Sequence, residues 1–307
     1  MKKNILLFVI LTFIFLLSCN EKVTTEFYEN GNKFKKYHKK DGKYEGIYEE
    51  YYPDGNLKVK KVFENGVERD SIIYYNNNSS SSIMKIEYLS VIDSVKQKYF
   101  HENGNLKKEG FVNLNRNAIG KWVFYNDKKE ISAVREYKNI SGKEYLNQEW
   151  ALNPRGDTLY YQSNFFNFYS SSDTIYLNEP FKGIVRVDCP LFKDKESEIY
   201  ILLPHIIGNL NSDFSNEHRI KLDTFYSLKK DIKNQKWFSN EQAKYPYIAA
   251  FGKKSLKKGK NIIRGIILES YFDKNKSVDI MHRKYFEKEI FVKDSIGSVP
   301  NLKENQT

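Results

Sequence analysis

The chain has 307 residues, a formal net charge of +11 and two cysteines. So few cysteines exclude a disulfide-rich scaffold, and a chain of this length buries enough apolar surface to fold without cross-links. Its lysines are spread along the sequence rather than gathered in one segment, which favours anionic membranes or acidic glycans as partners over nucleic acid.

Residues 1–18 have the composition of an export signal. Two lysines precede an apolar run from Ile5 to Leu17, which is too short for a membrane-spanning helix of about 20 residues. Leu-Leu-Ser then leads into Cys19, and this sequence resembles the lipobox of bacterial lipoproteins. The resemblance implies cleavage before Cys19, acylation of its thiol and residues 19–24 as a lipidated tether. The expected location is the bacterial envelope, most simply the outer membrane, with the periplasmic or surface side left open.

Residues 25–161 repeat a phrase of aromatic residues, a turn, then Asn, a hydrophobic residue and Lys. Its turn glycines Gly31, Gly55 and Gly104 stand 24 and 49 residues apart, the second interval being close to two periods. Asn-Gly and Asp-Gly pairs are strong hairpin signals, and the runs between them alternate as half-buried strands do. The pattern predicts stacked β-hairpins that extend one antiparallel sheet.

This pattern resembles the variant MORN repeat, in which Tyr-Tyr, a turn glycine and Leu-Lys precede a strand and a further Gly-x-x-x-Gly phrase. The matching positions are Tyr28, Gly31, Gly42, Gly46, Tyr51, Tyr52, Gly55, Leu57, Gly66, Phe100, Gly104, Leu106, Gly120, Trp122 and Tyr125. Residues 150–159 form a degenerate last copy. The resemblance implies hairpin repeats without catalytic residues, in a family that includes antitoxin-like proteins.

The repeat is interrupted between its second and third clear copies. Residues 76–82 form a polar run of Asn and Ser, and residues 83–95 lack the repeat glycines. We interpret this segment as a decorated repeat, with a short helix over 86–97 as the alternative. The repeat aromatics have two interpretations as well. They either form the packing surface of the strands, or an exposed platform for carbohydrate or peptide.

Residues 162–294 lose the 24-residue period and predict an immunoglobulin-like antiparallel β-sandwich. A short helix is expected within 226–242, and residues 295–307 form a polar tail. The predicted strands are 174–177, 181–189, 198–203, 220–222, 247–251, 261–269 and 285–293.

No catalytic or metal-binding motif is evident in the sequence. The five histidines never pair at metal-ligand spacing, and His205 is expected to be a hydrogen-bonded core or loop residue. Cys189 follows a strand-like run and is expected to be a small buried hydrophobe. Residues 273–279 imitate a calcium loop but lack its glycine and glutamate, which predicts a hairpin loop. We therefore expect no enzyme activity, no cofactor and no metal.

Asp followed by Ser or Thr and an aliphatic residue occurs five times. This triplet resembles the O-glycosylation sequon of one group of exported bacterial glycoproteins. The structural alternative is that Asp-Ser and Asp-Thr close turns that lead into strands. The candidate hydroxyl residues are Ser71, Ser94, Thr158, Thr174 and Ser295.

These features predict a membrane-anchored, non-enzymatic envelope lipoprotein. It would act as a binding or assembly module for a protein or glycan partner through the repeat sheet and the sandwich. The alternative is an immunity or antitoxin-like protein that neutralises a toxin through the repeat region. A third hypothesis, an envelope hydrolase or its accessory subunit, would require a cleft that holds two carboxylates, or a His with a carboxylate.

Overall fold

The described part of the chain is almost entirely β-structure, which confirms the predicted all-β class. The export signal, Cys19 and the predicted polar tail lie outside it. The computed structural model describes residues 23–78, 82–89, 93–205, 209–254 and 256–294.

The chain divides into two compact units. The first runs to Leu114 and includes Asp127–Lys129, whereas the second comprises Asn115–Asn126 and the residues from Glu130 onward. The last strands of the repeat region therefore belong to the same unit as the sandwich.

The first unit is an antiparallel sheet in which each strand pairs with the next along the chain, except that β3 lies beside β2 alone. Its strands are β1 (Val23–Phe27), β2 (Lys33–Lys40), β3 (Lys43–Tyr44), β4 (Gly46–Tyr51), β5 (Leu57–Glu64), β6 (Val67–Tyr75), β7 (Ile83–Leu89), β8 (Ser94–Phe100) and β9 (Leu106–Asn113).

The repeat turns share one hydrogen-bonded geometry, which explains why the same phrase recurs in the sequence. In the first copy the amide of Tyr28 donates to the carbonyl of Asn32 at 2.8 Å, and the amide of Gly31 donates to the carbonyl of Tyr28 at 2.9 Å. Gly31 has φ of +83°, a left-handed conformation that glycine adopts without steric cost. The same pair of hydrogen bonds closes the turns 52–56, 101–105 and 153–157.

Side chains of the phrase also fasten one turn to the next. The side-chain amide of Asn32 donates to the carbonyl of Pro53 at 2.8 Å, and the hydroxyl of Tyr28 donates to the carbonyl of Tyr51 at 2.8 Å. One repeat later, the hydroxyl of Tyr52 donates to the carbonyl of Tyr75 at 3.1 Å. The tyrosine and asparagine recur with the period because each satisfies a carbonyl of the following copy.

The interrupted segment is a further copy of the same unit. The amide of Asn76 donates to the carbonyl of Ser82 at 2.8 Å, which joins the two ends of the connection between β6 and β7 at the expected repeat position. Strands β7 and β8 follow it and pair antiparallel. The alternative of a helix over 86–97 is therefore wrong, because the strand pairing uses these backbone groups.

On one face of this sheet, several repeat aromatics pack against one another. The rings of Tyr37, Tyr44, Tyr48 and Phe63 have centroids 5.1–6.1 Å apart, and Tyr48 is 8% exposed. Ring clusters of this kind add stabilisation beyond their buried area. These four aromatics are thus a packing surface, as the first of the two interpretations predicts.

The second unit contains the antiparallel strands β10 (Ala118–Tyr125), β11 (Ile131–Ile140) and β12 (Lys143–Ala151), and two further sheets. The smaller sheet has the order β13-β15-β18 and the larger β14-β20-β19-β16-β17. All pairs within these two sheets are antiparallel except β14 with β20. Their bounds are β13 (Phe166–Ser170), β14 (Thr174–Tyr176), β15 (Phe181–Val187), β16 (Glu198–Pro204), β17 (Leu222–Tyr226), β18 (Ile248–Lys253), β19 (Gly259–Asp273) and β20 (Val278–Lys293).

The two sheets enclose one apolar core, which gives the predicted sandwich. Val185 and Phe251 of the smaller sheet pack in it with Ile201, Ile267 and Phe286 of the larger sheet. The outer face of the larger sheet is covered as well. A second cluster contains Leu210, Phe214, Ile266 and Tyr285, with Ile140 and Tyr145 from β11 and β12 packed against it.

Three details differ from the sequence-based expectation. Strand β13 was missed, and the strand expected at 220–222 is β17. The single helix expected within 226–242 is two short helices, α1 (Ile232–Gln235) and α2 (Asn240–Ala243), in addition to a 3-10 helix at Tyr160–Gln162. Two expectations are confirmed, since Cys189 is buried and residues 274–277 form a hairpin turn. In the described part of the chain, no helix is long and apolar enough to cross a membrane.

Candidate functional site

The predicted modification sites are dispersed along the chain. Cys19 and Ser295 lie outside the described residues. The other four hydroxyl residues are half-buried, at separate positions on strands or at strand entries, namely Ser71, Ser94, Thr158 and Thr174.

The Asp residue that precedes two of these hydroxyls adopts a left-handed backbone. Asp70 has φ of 56° and Asp93 has φ of 40°, a region that Asp tolerates better than most residues. Ser94 then begins β8, as Thr174 begins β14. Ser94 and Thr174 therefore agree with the structural alternative of a turn that leads into a strand, whereas Asp70 and Ser71 lie inside β6 and do not. These positions leave glycosylation as a prediction.

The second face of the repeat sheet mixes apolar side chains with charged ones. Tyr88 and Phe111, 38% and 43% exposed, lie on either side of Lys96 in the strand register. Lys96 Nζ is 3.0 Å from Glu109 Oε2, which places an ion pair among the exposed rings. The exposed aromatics of this face are therefore separated by charge rather than joined in one apolar stripe.

His205 is hydrogen-bonded, as the sequence predicts, and its partner is a carboxylate. Its Nδ1 lies 2.7 Å from Asp223 Oδ1, and both side chains are about two-fifths exposed. Nearby, Lys253 Nζ donates to the carbonyl of Pro204 at 2.6 Å, and burial lowers the pKa of Lys253. A His–Asp pair is the orienting half of a catalytic triad. Asp223 and Lys253 line a depression of about 240 Å³, which is separate from the cleft described below.

The second unit contains a cleft of about 360 Å³ that both polar and apolar side chains line. Its walls come from the end of β12, the 3-10 helix, the loop after β15 and the start of β20. The side chains that define its chemistry are Tyr160, Tyr161, Asn164, Leu191, Lys193, His282 and Glu149. His282 and Glu149 are a histidine and a carboxylate in one cleft, the combination that the hydrolase hypothesis requires.

Backbone pairing holds the 3-10 helix against β12. The amide of Leu159 donates to the carbonyl of Ala151 at 2.8 Å, and Glu149 and Asn164 exchange backbone hydrogen bonds at 2.8 and 3.0 Å. Phe165 packs between Trp150 and Tyr160, with ring centroids at 5.5 and 6.2 Å. The rim of the cleft is therefore built on ordered strands rather than on a free loop.

Two tyrosines project from this rim into solvent. Tyr160 is 63% exposed and Tyr161 is 68% exposed, values that are high for side chains of this size. Leu191 is also exposed and lines the same cleft. The cleft therefore presents flat aromatic and aliphatic surface above a polar floor.

The floor of the cleft carries a neutral histidine. Burial, and then the charge of Lys284, lower the pKa of His282 to about 4. The side-chain amide nitrogen of Asn164 lies 3.3 Å from His282 Nε2, where an unprotonated ring nitrogen accepts a hydrogen bond. At neutral pH the floor thus offers uncharged hydrogen-bonding groups.

A buried ion pair supports the wall of the cleft from behind. Glu269 and Lys284 are each 1% exposed, and Lys284 Nζ is 3.7 Å from Glu269 Oε2. Burial lowers the pKa of Lys284 to about 8. Glu269 also accepts the backbone amides of Leu191 at 2.9 Å and Phe192 at 2.6 Å. The carboxylate therefore fixes the loop that carries Leu191.

Sequence reasoning did not identify this cleft. Its residues come from positions as far apart as 160, 191 and 282, and only the strand register brings them together. The adjacent tyrosines at 160 and 161 follow the last repeat turn and were the one signal available. Within the described ranges, no group of three or more His, Cys, Asp or Glu side chains could hold a metal ion. No model of a known protein family matches the chain, and no curated protein matches it.

Proposed function

We propose that this chain is a non-enzymatic, lipid-anchored binding module of a bacterial envelope, and that its cleft takes a saccharide. The observation that carries the proposal is the pair of exposed tyrosines, Tyr160 and Tyr161, at the rim of a polar cleft. The lipobox resemblance at Cys19 supports anchoring, and the MORN-type resemblance supports a role for the repeats in presenting the module.

The chemistry of the cleft suits a saccharide, and Lys193 in its lining also allows an acidic one. A tyrosine ring supplies a large, rigid contact surface at low entropic cost, and it matches the apolar face of a pyranose. Asn164 and the neutral His282 supply hydrogen-bonding groups below that ring. Glu149 is neutralised by Arg135, whose Nε lies 2.7 Å from Glu149 Oε1, so the cleft holds little unpaired negative charge.

The test uses the chain from residue 20 onward against an array of envelope saccharides, including soluble peptidoglycan strands. Replacing Tyr161 with Ala should weaken binding at least tenfold, because the stacking surface is removed. The control is Tyr176→Ala, which removes a tyrosine that is 36% exposed on the sandwich but lies outside the cleft. Equal binding by both variants, or no saccharide retained by the unaltered chain, would contradict the proposal.

The same experiment separates binding from hydrolysis. If the retained saccharide is cleaved, the reaction should be tested in His205→Ala, which removes the ring held by Asp223. Cleavage that this substitution abolishes would favour the hydrolase hypothesis over the binding module. Binding without product, unchanged in His205→Ala, supports the module.

A further inference from the structure

The segment 226–245 of the second unit exposes large apolar side chains among lysines. Ile232 is 77% exposed, Trp237 is 74% exposed and Tyr226 is 50% exposed. Burying such side chains is favourable, so three of them in one short segment indicate a surface that is covered in use. We define the basic–apolar patch as Tyr226, Ile232 and Trp237 together with the neighbouring lysines, Lys229, Lys230, Lys233 and Lys236.

Two of the three apolar members of the patch, Tyr226 and Ile232, are placed together by the fold. Tyr226 ends β17, and it lines the same surface depression as Ile232, Lys230 and Lys233. Trp237 lies two residues beyond α1, and its amide donates to the carbonyl of Asn234 at 3.1 Å. Leu228, by contrast, is fully buried and secures the start of the segment in the sandwich.

The charge of the patch is strongly positive. Residues 226–245 contain five lysines and two acidic residues, a formal charge of +3. Lys230 is paired with Glu198, and Asp231 accepts a hydrogen bond from the side chain of Asn234 at 2.6 Å. Among the described residues, no carboxylate lies within salt-bridge distance of Lys229, Lys233 or Lys236. Those three ammonium groups are available to an external anion.

We propose that the basic–apolar patch docks on an anionic lipid bilayer. Tryptophan prefers the headgroup level of a membrane, where its ring is apolar on its faces and hydrogen-bonded at its nitrogen. The long stems of lysines reach the lipid headgroups while the neighbouring aliphatic side chain enters the acyl boundary. Lys236 Nζ lies 5.1 Å from the centre of the Trp237 ring, so charge and ring approach the surface together.

Ile232 distinguishes a bilayer from an acidic glycan as the occupant. An isoleucine side chain has no flat face for stacking on a sugar and no hydrogen-bonding group, yet it is the most exposed large hydrophobic side chain of the described residues. Contact with hydrocarbon would remove the apolar surface of this side chain from water. The patch is separate from the cleft, and this inference stands independently of the proposed saccharide binding.

The experiment uses the chain from residue 20 onward, which keeps every described residue and lacks the acylated cysteine. It is mixed with vesicles of phosphatidylcholine alone or with added phosphatidylglycerol, and binding is measured by co-sedimentation. Trp122 is 3% exposed and Trp150 is half-buried, so a blue shift in emission reports mainly on Trp237. We expect binding and a blue shift only with phosphatidylglycerol, both weakened by added salt.

Two variants separate the apolar and electrostatic contributions. Trp237→Ala should weaken binding about tenfold through lost apolar burial. Lys233→Gln with Lys236→Gln should weaken it about 25-fold, because each lysine near an anionic surface contributes about fivefold. The matched controls are Tyr176→Ala on the sandwich and Lys274→Gln with Lys276→Gln in the β19–β20 turn, which should bind as the unaltered chain does.

Three outcomes would overturn the proposal. The first is no binding to vesicles containing phosphatidylglycerol. The second is binding that the control lysine pair reduces as much as the patch pair does, which would indicate attraction to net charge alone. The third is unchanged vesicle binding in Trp237→Ala together with retention of a soluble acidic polysaccharide, which would make that polymer the occupant. Denaturation midpoints of all variants should match, since the substituted side chains are exposed.

Discussion

Replacing Gly265 with alanine should destabilise the sandwich, because this glycine lies beneath an aromatic ring. Gly265 is on β19, facing the core between the two sheets. A Cβ added there would lie 2.5 Å from Phe286 Cε1 and 2.7 Å from Leu203 Cδ2. Ordinary carbon contacts are about 3.5–4.0 Å, so roughly 1 Å of overlap must be relieved. Phe286 and Leu203 are 3% and 1% exposed, which leaves them little room to move.

The expected cost follows from this overlap. Overpacking a core costs about 1–3 kcal/mol, and two crowded neighbours place Gly265→Ala near 3 kcal/mol. With a urea dependence of about 2 kcal/mol per molar, the unfolding midpoint should fall by about 1.5 M. The three tryptophans of the chain all lie in the second unit, so their fluorescence follows this transition.

Gly252→Ala is the matched control in the same sandwich. A Cβ there would have Phe181 O at 3.8 Å as its nearest neighbour, an ordinary contact. Its free energy of unfolding should change by less than about 0.5 kcal/mol, since alanine also restricts the unfolded chain. An unchanged midpoint in Gly265→Ala, or equal losses in both variants, would refute the steric reasoning.

Four further outcomes are expected. The pKa of His282 is about 4 in the fold and about 6.5 when unfolded. The unfolded chain therefore binds more protons between these pH values, and the free energy of unfolding should fall by about 2 kcal/mol from pH 7 to pH 4. Denaturation curves of His282→Gln at both pH values should show a smaller fall. Asn105→Ala removes the hydrogen bond to the carbonyl of Asp127 at 2.8 Å and should cost about 1 kcal/mol, whereas Glu29→Ala in an equivalent turn should cost little, as thermal unfolding would show. Cys19→Ser should abolish incorporation of labelled palmitate in a bacterial host, and continued labelling would exclude this cysteine as the anchor. The intact mass of the exported protein should exceed its sequence mass by glycan if the Asp-Ser and Asp-Thr triplets are used, and Thr174→Ala should remove one increment.

The repeat region was predictable because its determinants are local. A tight turn needs a residue with a left-handed backbone conformation, and glycine after Asn or Asp indicates such a turn in the sequence. The interrupted copy was harder to identify, since its turn is longer and lacks the glycine. Its strands are still selected by alternation, as at Ile83–Leu89. Strand β13, which follows the 3-10 helix after the degenerate last copy, was missed.

The cleft and the buried ion pair depend on long-range pairing that sequence patterns do not reveal. Glu269 lies opposite His282 in the β19–β20 register, and Ile267 lies opposite Lys284. In the sequence, Lys284 belongs to a run of charged and aromatic residues, and this pattern predicts that its side chain is exposed to solvent. In segment 226–242 the error was the reverse, because side chains predicted to be buried are exposed. Its apolar spacing suggests one amphipathic helix, but the chain breaks into two short helices and leaves Ile232 and Trp237 uncovered.

The fastening of each repeat turn to the next has a consequence for how the first unit can change in length. The side chains of Asn32 and Tyr28 donate to carbonyls of the adjacent copy. Inserting or deleting one whole period therefore leaves the remaining linkages unaltered, as in other stacked repeats. Evolution, or an engineer, can lengthen this part of the molecule two strands at a time without redesigning what is already there.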